Sequence, residues 1–158
     1  MALGADGGLV DPYGGARDIK LRLIRATSEH FCEDPLRALR AARQAAQLDF
    51  SIESATLAMM GRCAAELRDE PRERKFAELE KALGAPRPSR YFRSLLAAGL
   101  LEQEFPWLYR LIGQSQPPEY HPEGDAFEHT MLVLDRAAAM TERAEVRFAA
   151  LMLSLIHI

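Results

Sequence analysis

The dipeptide Asp34-Pro35 constrains the fold of this chain more than any other local feature. A proline at the first helical position lacks the N–H that would be unpaired there, and an aspartate before it can accept bonds from the free amides of the first turn. Leu36, Leu39, Ala42, Ala45 and Ala46 then recur at helical spacing to about Gln47, which predicts a helix with one buried face. Similar punctuation recurs downstream. A second helix is predicted over about 53–67, with Leu57, Met60, Cys63 and Ala64 on its inner stripe. Pro71 opens a third, in which Phe76, Leu79 and Leu83 are buried and Gly84 is the stop. Pro86 and Pro88 mark a hinge. Ser89 caps a fourth helix through Tyr91, Leu95 and Leu96, ended by Gly99, and Phe105-Pro106-Trp107-Leu108 begins a short fifth. Residues 113–124 form a loop by composition, followed by helices over about 126–140 and 142–153.

The lead into this helical series is different. Gly4, Gly7, Gly8, Gly14 and Gly15 crowd the first residues around Asp11-Pro12-Tyr13, with Leu9 and Val10 as a strand remnant in one short hairpin. The expected class is therefore mainly α behind a glycine-rich N-terminal segment. With 158 residues, 48% of them hydrophobic, the chain can bury the core of one domain or two small ones. Two cysteines, Cys32 and Cys63, supply no disulfide framework and suggest a reducing compartment. The start MALGADGGLV lacks a basic n-region, and no stretch approaches the roughly 20 apolar residues of a membrane span, so the expected location is cytoplasmic. With 20 Lys+Arg against 23 Asp+Glu, net charge neither implies nor excludes nucleic-acid binding.

On a helix starting at Asp34, Arg37 and Arg40 lie three apart on one face while Leu36 and Leu39 point to the core. One carboxylate and two guanidinium groups suit a nucleotide: the acid accepts from an exocyclic amine, and the arginines donate to ring atoms or phosphate. A helix start with ordinary surface charges explains the same residues. Arg72, Arg74, Arg87 and Arg90, with Lys75 and Arg93 nearby and Tyr91 and Phe92 interleaved, could grip RNA phosphates, although Glu70, Glu73, Glu78 and Glu80 lie among them. Phe105, Trp107 and Tyr109 read most simply as packing.

Asp11-Pro12-Tyr13-Gly14-Gly15, Asp18-Ile19, Leu23-Ile24-Arg25 and Phe31-Cys32-Glu33-Asp34-Pro35-Leu36-Arg37 together resemble the class II tRNA nucleotidyltransferases, the CCA-adding enzymes and the related bacterial poly(A) polymerases. Glu73-Arg74-Lys75-Phe76-Ala77-Glu78-Leu79 resembles the family's fifth motif. His121-Pro122-Glu123-Gly124-Asp125 and Glu128 to Asp135 resemble the opening of the HD domain in multifunctional CCA proteins. This resemblance implies that Asp34 and Arg37 read the Watson–Crick edge of CTP or ATP, with Arg40 as a further nucleotide contact. It implies tRNA as partner, and Mg²⁺ for the phosphoryl transfer of the whole enzyme.

The implied organisation is a remnant of the nucleotidyltransferase head over 1–28, including a flexible loop from Asp11 to Asp18. A neck with the nucleotide-selecting helix follows over 29–84, a body over 85–120, the start of an HD domain over 121–151, and a tail foreign to the family over 152–158. The family's catalytic aspartates have no counterpart here, and its His-Asp dyad falls at about Leu153 and Ser154, which leaves His129 as one ligand of an incomplete metal site. The expectation is a fragment that selects bases and docks RNA without performing the chemistry. A poly(A) polymerase fragment and a stand-alone helical RNA-binding module are the alternatives.

Overall fold

A computed structural model describes residues 2–3, 7–114 and 125–153. Strands Ala2–Leu3 (β1) and Leu9–Val10 (β2) pair antiparallel, the hairpin expected of the glycine-rich lead. Helix Gly15–Lys20 (α1) precedes strand Leu23–Ile24 (β3), and a 3-10 turn over Glu29–Glu33 leads into Leu36–Leu48 (α2). Strand Ser51–Ile52 (β4) runs parallel to β3, with Leu23 opposite Ser51 and Ile24 opposite Ile52. Two-residue strands are too short to show alternation, so periodicity marks neither. Helices Ser54–Arg62 (α3), Ala64–Arg68 (α4), Arg72–Leu83 (α5), Ser89–Ala97 (α6), Leu101–Glu104 (α7), Pro106–Tyr109 (α8), Ala126–Met140 (α9) and Ala144–Leu153 (α10) follow. Most of the 113–124 loop, the His121–Gly124 part of the HD-like motif and the tail beyond Leu153 lie outside the described residues.

The centre of the molecule is α2. It buries Leu36 and Leu39 with Ala38, Ala41, Ala42, Ala45 and Ala46, and so small a set of side chains lets α5 and α6 pack closely against it. Where α3 passes α6, Gly61 performs the same service: a Cβ there would stand 2.7 Å from the Ala98 carbonyl oxygen. Helix α6 contributes Tyr91, Phe92 and Leu95. Their rings continue edge to face from Tyr91 to Phe92, Phe105 and Trp107, with centroids 5.2, 5.3 and 6.1 Å apart. Tyr91 and Phe92 are thus fully buried core residues and cannot be the aromatic partners of an RNA-gripping surface. Phe76 departs in the opposite sense: expected in the core, it is 60% exposed, because the core covers α5 only at Glu78, Leu79, Ala82 and Leu83.

Several helix ends differ from the sequence reading. Asp34 accepts a bond from the Arg37 amide through its backbone oxygen at 2.9 Å, but its carboxylate does not cap α2; it is drawn away to Arg40. Ser89 is the first residue of α6 and caps nothing. Its hydroxyl and amide both donate to Asp135, at 2.7 and 3.1 Å, and so bind α6 to α9. The second helix is two, broken at Cys63, and Cys63 is bonded to Cys32 with Cα atoms 5.3 Å apart. That pairing corrects the reading of two free thiols. It pins the 3-10 turn to the α3–α4 junction and closes a loop of sequence separation 31, which restricts the unfolded chain.

Asp11 holds the start of α1. Its two carboxylate oxygens accept from the amides of Gly15 and Ala16, each at 2.8 Å, across a turn that places Gly14 at φ +71°. These bonds, Ala16's foremost, hold the Asp11 carboxyl below its ordinary range. The ionised form is the one the fold favours, so its stabilisation is complete above the unfolded value of about 3.9 and disappears as pH falls through the lower folded value. In an NMR titration the Gly15 and Ala16 amide shifts should move with a midpoint below that of a free aspartate.

Arg147 joins three helices. Only 4% exposed, it donates from Nη1 to the carbonyls of Leu83 and Ala85 at 2.6 and 2.9 Å, from Nη2 to Ala138 at 3.0 Å, and from Nε to Thr141 at 2.8 Å. These oxygens lie at the C-terminal ends of α5 and α9, where unpaired carbonyls gather partial negative charge. Arg147→Leu should lower the unfolding free energy by about 3 kcal/mol in urea titrations, whereas Arg143→Leu at the exposed start of α10 should change it by less than about 0.5 kcal/mol.

Candidate functional site

The segment Ile24–Ser28 and the 3-10 turn face α2 across a cleft of about 610 Å³. Three guanidinium groups line it, from Arg25, Arg37 and Arg40, together with Gln44, Glu33 and Thr56. Helical geometry explains the shared face: Arg37, Arg40 and Gln44 are spaced i, i+3 and i+7 along α2. Arg25 follows β3 directly. Its Nε donates to the two Asp18 oxygens at 3.0 and 3.3 Å, its Nη1 pairs with Glu53, and the Asp18 bond raises its pKa further. Arg37 spends a single hydrogen bond among the described residues, from Nη1 to the His30 carbonyl at 2.6 Å. Most of its donor fork therefore stays available.

Arg40 is fixed from behind. Its Nη1 donates to Asp34 Oδ2 at 3.0 Å, and its Nε lies 3.6 Å from Glu78 Oε1. Glu78 reaches in from α5, is 4% exposed, and takes Arg43 Nε at 2.6 Å. Arg74 Nη2 approaches Asp34 at 3.8 Å while its Nη1 donates to Glu70 at 2.5 Å. Charges alternate along this seam, and the buried Glu78 carboxylate is compensated by Arg40 and Arg43 of α2 and by Lys81 of α5, whose Nζ lies 3.8 Å from Oε1. The expected trio is consequently divided: Arg37 and Arg40 stand in the cleft, while Asp34 is on its flank and turned toward α5. Arg25, which the residue-by-residue reading left without a role, belongs to the cleft because β3 pairs with β4. Chemically, convergent guanidinium groups suit the phosphates and acceptor edges of a nucleotide.

The proposed RNA-gripping cations do not share one free face. Arg90 pairs with Asp49 and reaches the Phe50 carbonyl at 3.4 Å, Arg87 stands 3.7 Å from Asp135, and Arg93 makes a two-pronged contact with Glu128 at 2.7 and 2.6 Å. Lys75 pairs with Glu104 at 3.2 Å. Arg72 is exposed and has no partner among the described residues. His129 lies half-buried on α9, and the described residues contain no group of three or more His, Cys, Asp or Glu able to hold a metal ion. None of the helices among them is long and apolar enough to cross a membrane.

A mainly helical protein with an arginine-lined cleft is the class these features define, and residues 49–111 match the family described as "Probable RNA and SrmB- binding site of polymerase A". The chain is similar to the multifunctional CCA protein of Methylococcus capsulatus, 47% identical over 156 residues that cover 96% of this chain and 37% of that protein. Among solved structures it resembles a tRNA-processing enzyme in its apo form, with a TM-score of 0.64 and 28% identity over 95% of this chain and 41% of the other. It also resembles a tRNA nucleotidyltransferase complexed with a primer tRNA and an incoming ATP analogue, with a TM-score of 0.57 and 27% identity over 93% and 43% of the two chains. The chain thus spans well under half the length of the relatives it matches.

The Glu78 seam generates a prediction of its own. Glu78→Ala should destabilise the fold by about 2 kcal/mol, because Arg43 and Arg40 lose their common partner; Glu80→Ala, exposed on the same helix, should fall within about 0.5 kcal/mol of the original. Chemical denaturation of both variants is the check.

Proposed function

We propose that this chain supplies the base-selecting helix and RNA-docking helices of a cytoplasmic CCA-adding tRNA nucleotidyltransferase, which joins CMP and AMP to tRNA 3′ ends from CTP and ATP. The observation that carries this reading is the convergence of Arg25, Arg37 and Arg40 on one cleft in a chain similar to multifunctional CCA proteins. In the reaction the tRNA 3′-hydroxyl attacks the α-phosphate and pyrophosphate leaves, with Mg²⁺ assisting the whole enzyme. The described residues bind and select. Arg37 donates to a ring nitrogen or carbonyl oxygen of the base. Asp34 joins it by exchanging Arg40 for an exocyclic amine, which frees Arg40 for the nucleotide; Arg25 offers charge to the phosphates. Arg72, Arg74, Arg87 and Arg90 contribute to the field that attracts tRNA phosphates, Arg72 most directly because it has no partner among the described residues.

The family description naming polymerase A favours a second reading, a poly(A) polymerase, in which the cleft serves ATP without CTP. Calorimetric titration with each nucleotide separates the two, since a CCA-type cleft binds both. Arg37→Ala should weaken CTP and ATP binding by about tenfold or more, the loss of a charge-assisted contact, and Arg37→Lys should not restore the planar fork. Unchanged affinities in Arg37→Ala would reject the assignment of this cleft.

A further inference from the structure

A second cleft of about 610 Å³ opens between the start of α5 and α7, lined by Leu39 of α2 but by none of the residues of the arginine cleft. We propose that it holds one unpaired nucleotide of bound RNA, with the base stacked on Phe76 and its phosphate taken by Arg72 and Arg68. The proposal rests on the RNA-docking part of the function above and gives it a specific subsite.

Three observations converge there. Phe76 is 60% exposed although its helix buries Leu79 and Leu83, so an aromatic face is presented to solvent at a cleft wall. Arg72 lies one helical turn before Phe76 on the same face, exposed and without a partner among the described residues. Arg68, across the cleft mouth at the end of α4, has a single long contact, 3.5 Å to Gln103 Oε1. The acids of the cleft, by contrast, are already matched: Glu104 by Lys75 at 3.2 Å and Glu70 by Arg74 at 2.5 Å. Arg72, unpaired among the described residues, and Arg68, held only by one long contact to a neutral amide, flank one exposed ring and fit a base with its phosphate better than an apolar partner, which would have to desolvate both guanidinium groups.

Below them lies Tyr91, whose buried hydroxyl finds no hydrogen-bond partner among the described residues. Burial raises its pKa, so the phenol remains a neutral donor under the cleft. Stacking needs an open base face, which a duplex does not offer, so the site should discriminate single-stranded from paired RNA while tolerating any of the four bases.

The test is fluorescence anisotropy of the full chain with a labelled, unstructured RNA hexamer and with a blunt RNA hairpin. Phe76→Ala should weaken hexamer binding about tenfold and leave the hairpin within twofold. Phe76→Trp should keep the affinity, and its added indole emission should be quenched on binding. Arg72→Ala should weaken the hexamer and reduce the slope of log affinity against log salt by about 0.7. If Phe76→Ala binds the hexamer as the original does, or loses hexamer and hairpin equally, the stacking site is wrong, the exposed ring serves another partner, and RNA docking as such still stands. If the unaltered chain binds neither RNA, the docking reading fails and takes this subsite with it.

Discussion

The buried carboxylate of Glu78 sets the geometry on which the rest of the molecule depends. It stands at the seam between the two helices that matter most, and it holds Arg43 directly and Arg40 at longer range. Through Arg40 the constraint passes to Asp34, and through Asp34 to Arg74 and Glu70. A carboxylate removed from water requires cations in fixed positions, and here one of those cations, Arg40, also lines the cleft. The alanine face of α2 makes this possible, since larger residues would separate α2 from α5 and leave Glu78 without reach.

Much of the fold is legible from local chemistry. Pro71 and Gly84 bracket α5 because each acts on its own neighbours, and Asp125 caps α9 by accepting the Phe127 and Glu128 amides at 2.8 and 3.2 Å. Arg37 and Arg40 fall on one side of α2 for the same local reason. What escapes the sequence is decided at a distance. Asp34 turns from its expected cap because Arg40 and Arg74 compete for its oxygens, and Arg74 arrives from another helix. Phe76 fits the apolar spacing of α5 and is nevertheless outside, since spacing identifies a stripe without saying how far its neighbours extend over it. Cys32 and Cys63 meet only because α3 folds back on the 3-10 turn, and Arg25 acquires a place only through a two-residue strand pair.

Function and structure meet in the way α2 divides two clefts. Its polar side, with Arg37, Arg40 and Gln44, forms a wall of one; Leu39 lies against the other. A single rigid element therefore keeps the two at one helix diameter, roughly 10 Å, and movement of one wall is movement of both. The disulfide adds a covalent limit on one side only, through the 3-10 turn that faces Arg37.

Each acceptor of the Arg147 joint is a main-chain oxygen, so the union of α5, α9 and α10 demands one particular side chain and is indifferent to those at 83, 85, 138 and 141 beyond their ability to let the backbone pass. The angle between the ends of α5 and α9 and the start of α10 is held by a single guanidinium, while Leu83 and Ala85 answer to the core and not to the joint. Such a fastening reads backbone rather than side chains, so the last two helices are joined to α5 without a matched partner residue on it.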